Sequence, residues 1–457
     1  MPSIALSLSL RGQLLSATRT FSPISLFSAG EQGIWLDPSD LTTMFQDRAG
    51  TTPVTTPGQT VGKRLDKSGR GNHAVAPTDA ARPTYGIEPK TGRRNLLTFT
   101  EQFDNAAWLK PVGTTTVTPN TATAPDGTMT ADLITATAGN ACHYIAQNSV
   151  TGSVTCTVYA KAGTANWLGL GSGYTNGVET AWFDLATGTR GTVASGGTST
   201  MDPVVGYPGW WRCSHTRASW SAGAALPFVT NANGVAAFNA VGTENLLLWG
   251  AQLELGSTAT AYQRVGTAFD VTEAGVATVH YVQYDGTDDS FSTSSIDFTA
   301  TNKMSVFAGV RKLSDAAQGI VAELSAISTT NNGTFNLQAP SDAGFARYRF
   351  TSKGTVSSGN FVSGYAAPIS NVLTGLGDIS GDIATFRING IQVAQSTTDQ
   401  GTGNFGNYPL FIGRRNNASL PFNGRDYGII VVGKTASATE ITNTESYLAA
   451  NTSGVTL

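Results

Sequence analysis

The chain has 457 residues, enough for roughly two to four domains with a core each. Only 13% of the residues are charged, the formal net charge is −3 and no block of one sign occurs, which excludes an electrostatic footprint for nucleic acid and a polybasic membrane patch. Hydrophobic residues make up 40%, glycine numbers 52, and Thr, Ser and Asn fill the charge deficit, a composition of short strands and turns rather than of helices.

Residues 1–33 read as an arm. Ile4–Leu10 alternates apolar and polar residues without the continuous apolar stretch of a leader, and Pro23 and Gly30 punctuate the rest of the segment. A piece of this size does not fold alone, so it is expected to dock on the body, on a second copy or on a larger assembly. Gly33–Asp37 then reads as a strand ended by Pro38, and Asp40–Gln46 as one helical turn capped by Ser39 or Asp40. Leu65–Val75 carries the densest turn signal of the chain. Gly69, Gly71 and Asn72 tolerate positive φ, and the Asp66 and Ser68 side chains can satisfy turn amides. Arg82–Tyr85 is an extended exit, and 86–94 is a polar Gly- and Pro-containing linker.

Residues 95–265 change style. Period-2 strands are expected at Ser153–Ala160, Trp167–Gly171, Thr180–Asp184, Trp210–His215 and Asn245–Leu253, separated by Gly-containing turns as in a jelly roll. Residues 279–435 return to the earlier style, with strand candidates from Val279–Tyr284 to Asp426–Gly433. Asn389-Gly390 between two apolar runs is a two-residue hairpin signal. Ser437–Glu440 is a capping box opening a helix to about Ala450. No stretch approaches the ~18 apolar residues of a membrane span.

The three cysteines, Cys142, Cys156 and Cys213, make no disulfide framework, and with His73, His143, His215 and His280 they make no zinc-type spacing. Cys156, among the valines of Val154–Val158, is expected to be a buried free thiol. These patterns assign no metal ligand and no catalytic residue.

Two groups of residues carry a resemblance. Asp66-Lys-Ser-Gly-Arg-Gly-Asn-His73, Tyr284–Asp289, Phe386–Gly390 and Pro421–Tyr427 resemble the concanavalin A-like lectin/laminin-G class, in versions found in structural proteins of tailed bacteriophages and prophages. Asn95–Asp104, Val158–Gly163 and Leu248–Glu254 are similar to carbohydrate-binding-module-like jelly rolls of phage fibre and spike proteins. The expected fold is all-β: two antiparallel β-sandwiches, one lectin-like and discontinuous (34–85 plus 279–450), the other an inserted jelly roll (95–265). A short N-terminal arm (1–33) and a short C-terminal helix complete it.

The resemblance implies a virion-surface protein, made in the host cytoplasm, whose arm attaches to other virion proteins and whose sandwiches meet host surface polysaccharide. It also implies a homo-oligomer, by fibre analogy a trimer. Two alternatives stand beside it: a purely architectural virion component, and a polysaccharide depolymerase. Hydrolysis needs two carboxylates at a set separation. Lectin-fold hydrolases carry a Glu-x-Asp-x-x-Glu strand, which this sequence lacks. Glu179 and Asp184 differ in strand parity, and the adjacent Asp288 and Asp289 split across faces, so a non-enzyme is expected. Sugar binding calls for exposed aromatic faces, for which Trp108, Tyr174, Trp182, Trp210 and Trp211 are the candidates. The lectin turn residues Asp66, Asn72 and His73 are expected to form one site with Asp288 and Asp289. A structural Ca²⁺ would draw on Asp285, Asp288, Asp289 and Glu254.

Overall fold

A computed structural model describes residues 21–172 and 179–457. Two β-sandwiches make up the chain, and the first is built from two separate stretches of sequence. Its front sheet runs Ile391–Ser396, Ile383–Ile388, Ile369–Asp378, Lys303–Lys312, Asn423–Val432, Thr278–Asp285, Thr84–Pro89, with Gly33–Leu36 also paired to Asn423–Val432. Its back sheet runs Met44–Phe45, Lys63–Arg64, Ala74–Val75, Phe291–Asp297, Asn407–Ile412, Ile320–Leu324, Thr334–Gln338, Arg347–Lys353, Ser357–Ser363. Both sheets therefore mix strands from before and after the inserted segment. Alternating apolar residues of both stretches close one core, in which Ile34, Leu36, Met44 and Tyr85 lie among Val282, Phe291, Ile429 and Val431.

A buried ion pair crosses that core. Arg64 on the back sheet makes a bidentate pair with Asp426 on the front sheet at 2.7 and 3.0 Å, and the Tyr284 hydroxyl donates to the same carboxylate at 2.8 Å. Both charged side chains are 1% exposed, so each is tolerated only because the other is there.

The helix Ala438–Asn451 covers the outer side of the front sheet. Ser437 and Glu440 form a reciprocal capping box at its start. At its end the Lys90 ammonium donates to the carbonyls of Ala449, Thr452 and Val455, satisfying acceptors the helix leaves free. Leu448 and Ala449 pack with Trp35, Phe307, Ile430 and also Leu26 and Phe27. Here the expected arm needs correction. Pro23–Phe27 is a single 3-10 turn whose Leu26 and Phe27 are buried in this cluster, so from residue 21 onward the segment belongs to the body. The remainder of the expected attachment arm, residues 1–20, lies outside the described residues.

The expected linker is also shorter than 86–94. Gly86–Pro89 continue a strand, because Pro89 is in register with Thr278 and the Lys90 amide donates to Ala277 O at 2.7 Å. The chain thus leaves the body and returns to it at adjacent positions, and the second sandwich hangs from the tip of a β-hairpin. Among the described residues, ten of its strands form two layers. One contains Thr115–Ala122, Ala131–Ala136, Asn245–Leu255, Gln147–Ala162, the first half of Trp210–Thr230, and Gly197–Pro203. The other contains Thr189–Val193, Glu179–Asp184, Trp167–Ser172, the second half of Trp210–Thr230, and His143–Tyr144. The 21-residue strand Trp210–Thr230 passes from one layer into the other. Between the layers lie Leu168, Leu170, Phe183, Val158, Leu246, Leu248 and Trp108, with Cys156 and Cys213 among them. Burial pushes the Cys142 and Cys156 thiols up to about 12, leaving both protonated and inert.

Candidate functional site

The turn Asp66–His73 is a clasp on a strand. Asp66 Oδ1 accepts from the amides of Trp35 (3.0 Å) and Ser68 (2.8 Å), and Oδ2 from the Ser68 hydroxyl (2.7 Å) and the Asn72 amide (2.9 Å). Asn72 Nδ2 donates to Gly33 O at 2.7 Å, and His73 Nδ1 accepts from the Asp66 amide at 3.0 Å. Gly69 and Gly71, at φ of 80° and 75°, let the backbone wrap round one carboxylate. All of these groups are engaged in holding Gly33–Leu36.

The second acidic turn lies elsewhere. Trp35 is opposite Ile430 and Asp285 opposite Asn423, on one strand. At ~3.3 Å per residue the two turns are about 20 Å apart, so Asp66, Asn72 and His73 do not share a site with Asp288 and Asp289. The expectation that Asp288 and Asp289 split across faces also fails. The chain turns after Asp285, and one carboxylate oxygen each of Asp285, Asp288 and Asp289 lies within 4.8 Å of the others. Burial, then the charges of Asp285 and Asp288, raise Asp289 to about 7. Glu254 is not part of this group, because it sits in the inserted jelly roll and is held by Thr260 and Gln252.

Three of the aromatic candidates are core residues. Trp108 is 1% exposed, stacks edge-on against Phe103 and donates to Phe99 O. Trp182 packs with Cys142 and Phe228 and donates to Val235 O; Trp210 packs with Ala124, Ala131 and Trp249. None of these three offers a ring face to solvent. Trp211 is half-buried, with its Nε1 donating to Leu185 O. Tyr174 lies outside the described residues.

What the inserted jelly roll does present is the outer face of its larger layer. Strand register sets Thr198, Thr200 and Asp202 beside Thr216, Ser214 and Arg212, which stand beside Thr155, Thr157 and Tyr159. Every second residue here is polar because the alternate ones, such as Cys156, Val158 and Cys213, fill the core. Hydroxyls pair across the strands: Thr155 with Thr216 at 2.9 Å and Thr157 with Ser214 at 3.0 Å. Gln252 and Glu254 form the next row.

The loop 256–262 lies across this face. Its Thr260 amide and hydroxyl donate to the two Glu254 oxygens at 2.9 and 2.7 Å, and Arg212 donates to Thr260 O. Two clefts remain. One, of about 260 Å³, is lined by Thr198, Thr200, Asp202, Arg212, Ser214 and Thr216 from the sheet and Ser257 and Thr258 from the loop. The Arg212 Nε–H is buried there without an acceptor among the described residues. The other, of about 270 Å³, is lined by Glu101, Asp126, Trp249, Tyr262, Arg264, Thr272 and Glu273. Trp249 and Tyr262 meet at 5.0 Å between ring centroids, with Tyr159 against both. The Tyr262 hydroxyl donates to Glu101 at 3.1 Å, and burial, the largest influence, raises Glu101 above the usual carboxylate range.

Trp249 and Tyr262, and the row Asp202–Arg212, are the residues that sequence patterning does not pick out. Alternation places Trp249 in the core, but Gly250, at φ of 61°, is an extra residue at a register break between Thr157 and Tyr159. It turns Trp249 to the outer face while Leu248 and Ala251 both stay inside. The run Thr198-Ser-Thr-Met-Asp202 does carry a signal, as a polar alternation on one side of a strand.

No family model matches the chain, and no curated protein matches it. Among solved structures it is similar to the CBM40 of Ruminococcus gnavus IT-sialidase, at 14% identity and a TM-score of 0.27, over 32% of this chain and 84% of that one. It is also similar to the binding domain of botulinum neurotoxin serotype D, at 11% identity and a TM-score of 0.30, over 36% of this chain and 42% of that one. The botulinum neurotoxin type G receptor binding domain gives 12% identity and a TM-score of 0.29, over 37% and 42%. The chain thus spans under half the length of the neurotoxin domains.

Proposed function

We propose that this chain is a non-catalytic, glycan-binding structural protein of a bacteriophage particle, and that the outer face of its inserted jelly roll holds host surface polysaccharide. The observation that carries the binding is the hydroxyl-lined cleft: Thr198, Thr200, Ser214, Thr216, Ser257 and Thr258 around Arg212 and Asp202. A pyranose presents neighbouring hydroxyls, each a donor and an acceptor. A cleft of matching hydroxyls with one planar cation and one carboxylate meets them without burying an unpaired charge. Such a shallow site binds weakly, and several copies on one particle raise the avidity. The virion setting, the surface location, attachment to other virion proteins through residues 1–33 and a homotrimeric state rest on the resemblance of Asp66–His73 and Tyr284–Asp289 to phage structural proteins.

A glycan array probed with the assembled oligomer tests the reading. Retention of host envelope polysaccharide is expected. Asp202→Ala, at an exposed position, should weaken it about tenfold with an unchanged melting temperature. Absence of binding by the oligomer overturns the proposal, and release of new reducing ends from the polysaccharide replaces binding with cleavage.

A further inference from the structure

The second cleft has a different chemistry from the first. Its apolar wall is Trp249 and Tyr262, backed by Tyr159. Its polar wall is mostly acidic. Glu101 faces only a distant cation, Arg264 Nε at 3.7 Å, and Arg264 is committed more closely to Asp270 at 3.0 Å. Glu273 is matched by Arg94 at 2.7 Å and Gln263 at 2.9 Å. Asp126 has no ion-pair partner among the described residues, and its Oδ1 caps Thr128. With Glu101, Asp126, Asp270 and Glu273 set against Arg94 and Arg264, the cleft carries excess negative charge beside aromatic rings. A half-buried carboxylate with acidic neighbours and one loose cation is electrostatically incomplete, and a positive group entering the cleft completes it. The same group gains from the half-buried Tyr262 ring, whose face attracts cations, with the buried Trp249 behind it.

We infer that the Trp249–Tyr262 cleft receives an ammonium group displayed on the glycan, with Glu101 and Asp126 facing the charge and the Tyr262 ring, backed by Trp249, facing the sugar or alkyl carbons that carry it. The inference rests on the glycan-binding reading and adds the chemical class of one recognised unit. Two sources share this chemistry, a hexosamine with a free amine and a choline substituent.

Calorimetric titration of the full chain with glucosamine oligomers, their N-acetylated counterparts and choline chloride tests it. Glucosamine oligomers or choline should bind, and the acetylated oligomers about tenfold more weakly or not at all. Whichever charged probe binds identifies the source. Glu101→Gln and Asp126→Asn should each weaken the charged probe about tenfold and leave retention of neutral polysaccharide unchanged. Both keep an acceptor for the existing hydrogen bonds, and Glu101→Gln removes a half-buried charge, so neither threatens the fold. Equal affinity for free and acetylated amines, or indifference to both substitutions, overturns the ammonium assignment. If neutral polysaccharide still binds and responds to Asp202→Ala, the glycan reading survives that failure. If no glycan of either kind binds, both fall.

Discussion

Asp289 shows how far a single residue's chemistry depends on where the chain turns. As a strand residue it would be a solvated carboxylate, but in the turn it is 7% exposed and faces Asp285 and Asp288. Its raised pKa, about 7, lies above the usual value of an unfolded chain, about 4. Below about pH 4 both states are protonated and nothing is lost. Between about pH 4 and about pH 7 the native state holds a proton that the unfolded chain releases, so stability falls as pH rises. Above that window the full cost of the buried charge is present. Asp289→Asn should therefore match the parent near pH 4 and exceed it by about 1 kcal/mol near pH 8, the shift being discounted for partial exposure. Urea denaturation at the two pH values reads this out, and equal stability at both excludes it. The indoles make the same point. Trp108, Trp182 and Trp210 have nothing in their local sequence that separates a core ring from a surface one. The burial of Trp182 and Trp210 depends on partners such as Phe228 and Trp249, dozens of residues away, and that of Trp108 on the core it enters as well as on nearby Phe103.

At the scale of elements, those closed by local hydrogen bonds are the most legible. Ser437 and Glu440 lie three residues apart and cap each other, and the Asn389-Gly390 turn, with φ of 47° and 79°, joins strands paired from Ile388 and Ile391. The Asp66–His73 turn is legible as a turn, but its grip on Gly33–Leu36 is not, because Asp66 and Trp35 are 31 positions apart. Asp66→Ala strands four donors at once and should cost about 2–4 kcal/mol. Exchange of the Trp35 amide should rise more than that of amides in Lys303–Lys312. Uniform exchange across the sheet would mean the clasp has no local role. The sequence shows only a short strand at Trp210–His215, whereas the element continues to Thr230, because alternation describes one layer. Nothing in a period-2 pattern reports that a strand continues into a second sheet.

For the whole molecule, the position of the insertion has a direct consequence. Lys90 and Ala277 are hydrogen-bonded neighbours, so removing residues 91–276 and joining the ends through Asn-Gly should leave an ordinary two-residue hairpin. The remaining discontinuous sandwich keeps its core, the Arg64–Asp426 pair and the Lys90 cap. It loses the packing of Phe269 on Tyr281 and Tyr427. It should fold cooperatively, with β-type circular dichroism and a melting temperature lowered by about 5 °C. An unfolded or aggregated product would show that the two sandwiches depend on each other for folding. By itself the sequence determined the fold class, the turns, the helix cap and the return to an earlier style after residue 279, because each comes from composition, from parity or from contacts a few residues long. Only the tertiary structure decided which polar rows face outward, that Gly250 shifts the parity at Trp249, and that the loop 256–262 divides the face into two clefts. Those depend on strands that meet across gaps of dozens of residues, and a side chain's exposure is a property of what covers it.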